Sequence, residues 1–238
     1  MDERIHMDSA PCSSGAGERS CATPSLVIVG AGGHGCSVAD IAISSGRRVD
    51  FFLDEGKGGQ KKFDIPVLQS AEDLPRHYTH YEFVIAVGDN STREKCASEF
   101  EHNYPNIEFA TLYHPTSSVS KYASIGKGVV IAAHAHVGPY SHVGPFCIIN
   151  THASLDHDCA MGPFSSLAPG VRIGGHVQLG KRTVICIGAV IRHGVEIGDD
   201  SVIGSASYVH CSIEPNTLSY GIPAHVQRFI PKGWSYLK

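Results

Sequence analysis

Residues 119–150 read VSKYASIGKGVVIAAHAHVGPYSHVGPFCIIN, and the pattern they open continues to about residue 213. Every sixth position is aliphatic or Met: Val119, Ile125, Ile131, Val137, Val143, Ile149, Leu155, Met161, Leu167, Ile173, Leu179, Ile185, Ile191, Ile197, Ile203 and Val209. Four residues after each comes a mostly small or β-branched residue, as at Ala123, Val129, Ala135, Ser141, Cys147, Ala153 and Cys159. Glycine often follows the aliphatic residue directly, as at Gly138, Gly144, Gly162, Gly174 and Gly180. A period of six fits neither the roughly 3.6 residues of a helical turn nor strands joined by loops of varying length. It suits a coil of three short strands and three corners, eighteen residues around, with the large aliphatic residue inside and the small one at the crowded corner. Stacked coils bury one continuous column, so the pattern predicts a parallel β-helix over 114–215. A β-sandwich with regular turns would not hold this register so long without an insertion.

Upstream the periodicity changes. Leu26-Val27-Ile28-Val29 leads into Gly30-Ala31-Gly32-Gly33-His34-Gly35, then a helical stretch from about Cys36 to Ser45. Val49–Leu53 and Phe83–Val87 read as further strands, the latter passing through Gly88-Asp89-Asn90 into a helix that reaches about Phe100. Alternating strands and helices predict a small parallel sheet covered by helices, a Rossmann-like domain over 25–113. The loop matches G-x-G-x-x-G between a strand and a helix, where glycines let the backbone approach a phosphate and the helix N-terminus offers unpaired N–H groups. Asp54, at the end of the next strand, is placed to accept a hydrogen bond from a ribose hydroxyl. The pattern points to a nucleotide without saying which. About 90 residues leave no room for the second half of a dinucleotide fold, which counts against NAD, and glycines serving only helix–strand packing remain an alternative.

Nineteen basic against 23 acidic residues give a formal net charge of −4, which excludes an overall positive field for nucleic acid or an anionic membrane. No apolar run approaches the roughly 18 residues of a membrane span, and no secretory h-region opens the chain, so a cytoplasmic location is expected without membrane insertion. Cys12, Cys21, Cys36, Cys96, Cys147, Cys159, Cys186 and Cys211 are scattered with no C-x-x-C pair, as free thiols in a reducing compartment would be. Residues 1–24 are rich in Ser, Gly and charge and read as a disordered leader; residues 216–238 read as a C-terminal tail.

A GAGGHG domain followed by hexapeptide repeats that contain Asn150-Thr151-His152-Ala153-Ser154-Leu155-Asp156-His157-Asp158 resembles the sugar acetyltransferases that include the sialic acid O-acetyltransferase and the bacillosamine-pathway UDP-amino-sugar N-acetyltransferase. The resemblance covers about Leu26 to Ile230 and includes Gly221-Ile222-Pro223-Ala224, similar to the segment that closes such β-helices. It implies a left-handed superhelix, a homotrimer with the active site between subunits, and acetyl-CoA as co-substrate. It also implies that His157 is the catalytic base and that Asp158 tunes its pKa. Imidazole suits that role, because an attacking sugar amine or hydroxyl must lose a proton near neutral pH. On the same resemblance Asn150, Ser166 and Gly175 lie near the acyl donor, with Ser166 replacing a histidine of the N-acetyltransferase relatives. Gly32, Gly33, His34, Asp54, Glu55 and Gly88 fall on the nucleotide-sugar contacts.

Fifteen histidines invite a metal reading, since some hexapeptide β-helices are zinc enzymes. Eighteen-residue stacking places His134 beneath His152, and His157 two coils from His193, but neither pair gains the third partner of a catalytic zinc site, so no metal is expected. Three readings follow: an N-acetyltransferase on a nucleotide-linked, UDP-type amino sugar, a sialic-acid-type O-acetyltransferase, or a non-catalytic nucleotide-sugar-binding protein.

Overall fold

The computed structural model describes residues 24–236; residues 1–23, nearly all of the expected leader, and residues 237–238 lie outside the described residues. The apolar runs form the sheet they predict. Strand β1 (Ser25–Val29) is buried from Leu26 onward because it lies at the centre of a parallel sheet with neighbours on both sides. Helix α1 (Gly33–Ser44) buries Gly35, Val38, Ala39, Ile41 and Ala42, one apolar stripe against the sheet. β2 (Val49–Leu53) follows, then a short antiparallel hairpin of β3 (Lys61–Lys62) and β4 (Ile65–Leu68) that extends the sheet edge. β5 (Tyr81–Ile85), α2 (Asn90–Asn103) and β6 (Glu108–Phe109) complete the order β3-β4-β2-β1-β5-β6. Sequence reading passed over β3, β4 and β6, because β3 and β6 are two residues each and Pro66 interrupts the short apolar run of β4. α2 is capped by Asp89, whose carboxylate accepts the Thr92 N–H at 2.9 Å.

The rest is a left-handed parallel β-helix of three sheets. Its strands pair at a spacing of eighteen: Val130 with Ile148, Ile148 with Ser166, Ser166 with Val184, Val184 with Val202. The six-residue register holds throughout. From Ile131 to Val209 every aliphatic position is buried, while Val119 and Ile125 pack partly buried at the open end. Beyond the partly buried Ala123 the small corner residues are buried too, and two polar ones bond to carbonyls of the next coil: Ser141 Oγ donates to Asp156 O (2.6 Å), Thr183 Oγ1 to Gly198 O (2.9 Å). The glycine after the aliphatic residue is needed because successive coils nearly touch. A Cβ on Gly138 would lie 2.8 Å from the His157 nitrogen.

Two boundaries differ from the expected ones. The first coil strand, Leu112–Tyr113, pairs with Val130–Ile131 and so lies ahead of residue 114. Residues 216–238, read as a tail, carry a strand, Thr217–Gly221, that adds to Val202–Ile203 and folds back on Ala224–Phe229, with Gly221–Ala224 as the turn. Trp234 and Tyr236 then pack on Val184, Val202 and Ile230. This segment abandons the six-residue period, so periodicity could not reveal it.

The two parts meet through polar side chains of α2. The Arg93 guanidinium is buried and donates to the carbonyls of Val87, Gly88, Phe146 and Phe164 and to Asn90 Oδ1, at 2.7–2.9 Å. Burial pushes its pKa down to about 10, still charged at neutral pH. Asn90 Nδ2 donates to the carbonyls of Arg182 and Thr183 at 3.1 Å, and Glu94 pairs with Lys181 and Arg182. These contacts seat the sheet domain on one prism corner and the adjoining face.

Candidate active site

The glycine-rich loop divides its labour. A Cβ on Gly35 would fall 2.0 Å from Gly30 O, and Gly30, at φ +109°, lies against Ala86 O, so both positions serve helix–strand packing. Gly32 and Gly33 are open: a Cβ on Gly33 would meet nothing within 4 Å, and one on Gly32 would meet only the Lys57 ammonium at 3.7 Å. This leaves the start of α1 free to receive an anion beside a lysine. Asp54, expected to meet a ribose, is engaged in holding the loop. Its Oδ2 accepts the Ala31 N–H (2.9 Å) and lies 3.4 Å from Lys57 Nζ, while its Oδ1 accepts the Gly56 N–H (3.2 Å). Glu55 is exposed in the turn beside it.

His34, Gly88, Asn150 and Ser166, singled out for two different ligands, border one cleft of about 420 Å³ between the loop and the β-helix. Burial, helped by the Arg93 charge, pushes the His34 imidazole down to about 4, so it is neutral at neutral pH. Its Nε2 is buried and has no hydrogen-bond partner among the described residues. Asn150 sits at a coil corner with its Oδ1 accepting the Thr151 N–H at 2.8 Å. Ser166 is buried and its hydroxyl donates to Asn90 Oδ1 at 2.9 Å, so the residue expected at the acyl donor is tied into the domain junction.

His157 stands on the next prism corner, beyond the strand Ser154–Leu155. Asp158, in the left-handed region at φ +56°, turns its carboxylate back so that Oδ2 accepts from His157 Nδ1 at 2.7 Å. That hydrogen bond holds the imidazole pKa above its ordinary value, with further support from the charges of Asp156 and Asp158. The His157 N–H is held by Asp156 Oδ1 at 2.8 Å. Gly175, one coil further on, lies beneath the ring: a Cβ there would sit 2.6 Å from Cε1 and Nε2. The ring is thus fixed with Nδ1 on a carboxylate and Nε2 at the edge of an open groove shared with Arg172, Arg192 and His193. Sequence reading missed His176, whose Nε2 is 3.9 Å from Asp158 Oδ2 and whose ring stands edge-on to His157 at 5.1 Å. Applying the eighteen-residue spacing to Asp158, not only to the histidines, finds it. His134 and His152 stack as expected, with ring centroids 4.9 Å apart.

Residues 25–100 match the PglD N-terminal domain family, and residues 176–211 match the bacterial transferase hexapeptide family. UDP-N-acetylbacillosamine N-acetyltransferase of Bacillus subtilis is 36% identical over 113 residues, 45% of this chain; the chain spans about half the length of that curated relative (51%). PerB of Caulobacter crescentus, solved in complex with CoA and GDP-perosamine, is 28% identical with a TM-score of 0.80 over 87% of this chain and 99% of that one. In both of its parts the chain resembles hexapeptide-repeat sugar acetyltransferases. The acetyltransferase domain of PglB from Neisseria gonorrhoeae, solved with acetyl coenzyme A, is 29% identical with a TM-score of 0.79 over 85% of this chain and 98% of that one. The two solved relatives match this chain across both the loop domain and the β-helix; the His34 cleft lies between the two parts, and the His157 corner lies on the β-helix.

Proposed function

We propose that the protein transfers the acetyl group of acetyl-CoA to the amino group of a nucleotide-linked amino sugar, with His157 as general base. The observation that carries this reading is the His157–Asp158 pair fixed over Gly175. With Nδ1 donating to the carboxylate, Nε2 keeps the free lone pair and faces the groove. The amine nitrogen attacks the thioester carbonyl, the C–N bond forms, Nε2 accepts the amine proton, and the C–S bond breaks with CoA thiolate leaving. Asp158 stabilises the imidazolium that results. The open start of α1 and Lys57 bind the diphosphate, and the neutral His34 lines the cleft along which the sugar extends. A UDP-sugar is the substrate named for the Bacillus relative, and a GDP-sugar is bound in the Caulobacter relative.

The cleft and the base occupy different corners of one prism. We therefore place the reaction between subunits of a homotrimer, in which one chain's cleft faces a neighbour's His157. No helix among the described residues is long and apolar enough to cross a membrane, and the described cysteines are free, which supports a cytoplasmic enzyme. The test is acetyl-CoA consumption with UDP- and GDP-linked 4-amino sugars, alongside sedimentation. Turnover that needs the amine, by a species of three chains, is expected. No turnover with any nucleotide-linked amino sugar would remove the reading.

A further inference from the structure

The His157 corner holds more donors than a base needs. One ligand atom from each of His157, Asp158 and His176 lies within 4.8 Å of the others, on adjacent coils, with Gly175 presenting no side chain against the His157 ring. The three side chains are about half exposed, so they can rotate to close the distance. Tetrahedral zinc with bonds of about 2.0–2.2 Å needs donors roughly 3.3 Å apart. Asp158 Oδ2 already stands 2.7 and 3.9 Å from the two nitrogens, on either side of that value. Two imidazoles and a carboxylate suit a borderline divalent ion and leave a fourth position for water. Asp156 adds a second negative charge next to the group, while Arg172 and Arg192 line the groove further on.

We propose that His157, Asp158 and His176 form an inhibitory site for a borderline divalent transition-metal ion such as Zn²⁺. The chemistry of imidazole makes occupation a switch. Neutral imidazole has one N–H and one lone pair. A metal on Nδ1 takes the lone pair at that nitrogen, and the proton that Nδ1 had donated to Asp158 moves to Nε2. The charge balance is unchanged, yet Nε2 now carries hydrogen and cannot accept a proton from the acceptor amine. The effect on turnover rests on His157 being the base; the metal site itself does not.

The experiment titrates ZnCl₂ into metal-free protein without CoA, by calorimetry, comparing wild type with His176→Asn, a residue that tolerates the left-handed corner. Wild type is expected to bind one more equivalent per chain, or to bind it at least tenfold more tightly, than the variant. Equal isotherms would overturn the site whatever the enzyme does. Acetyl-CoA consumption is then followed by thioester absorbance, since free CoA thiol binds zinc. Zn²⁺ should inhibit wild type, a chelator should restore it, and His176→Asn should keep turnover within a few-fold while needing at least tenfold more Zn²⁺. Binding at the site without inhibition would overturn its inhibitory role, while His157→Ala kinetics tests the base separately.

Discussion

At the scale of single residues, the site depends on where one proton sits. His157→Ala should lower kcat by roughly 10²–10⁴-fold and leave acetyl-CoA affinity within a few-fold, because the proton moves in the chemical step; steady-state kinetics with donor titration measures both. Asp158→Asn acts by another route. The carboxylate raises the His157 pKa, so its removal should lower the kinetic pKa of the acidic limb and shift that limb to lower pH. The plateau rate at high pH should fall as well, since a less basic imidazole accepts a proton less readily; a pH–rate profile that keeps both pKa and plateau would contradict the role given to Asp158. Gly175→Ala puts a methyl 2.6 Å from the imidazole and displaces the ring. A displacement of about 1 Å can cost on the order of 10²-fold in rate, so kcat should drop that far while the melting temperature stays near wild type. The identities of His157 and Asp158 were legible in the sequence; the contact of Gly175 with the ring was not, because it depends on how closely two coils stack.

At the scale of the elements, each coil is held by what it lays on its neighbours. Ile173 is buried in the column and pairs in register with Leu155 and Ile191. Ile173→Asp would place a carboxylate where no partner exists, one of the costliest single changes open to a protein. Loss of folded, assembled protein is expected in circular dichroism and sedimentation, whereas a normal result would mean that the register is misplaced. The column was readable because one rule repeats at every coil. The hairpin β3–β4 and the C-terminal pair Thr217–Gly221 and Ala224–Phe229 follow no repeat, and each exists by adding to a strand already in place. Their backbone groups find partners only once the neighbouring sheet has formed, which leaves little mark on local composition.

At the scale of the whole molecule, Arg93 joins the two parts. Truncation by Arg93→Ala leaves four carbonyls without this donor in a buried junction and removes one of the two donors, Arg93 and Ser166, that Asn90 Oδ1 accepts from. Each buried carbonyl left without a donor costs roughly 1–3 kcal/mol, so the junction should lose several kcal/mol. Calorimetry should then show the sheet domain melting ahead of the β-helix, and protease should cut between them; a single transition at the wild-type temperature would show that the junction is held elsewhere. By itself the sequence determined the β-helix, the glycine-loop domain and the histidine beside its acid, because periodicity and short motifs are properties of neighbours along the chain. Only the tertiary structure decided that Ser166 belongs to the junction, that Asp54 braces the loop, that His34 is neutral, and that the cleft and the base stand on different corners. Those outcomes come from contacts between residues far apart in the chain, where burial and hydrogen-bond partners, not residue type, set what a side chain can do.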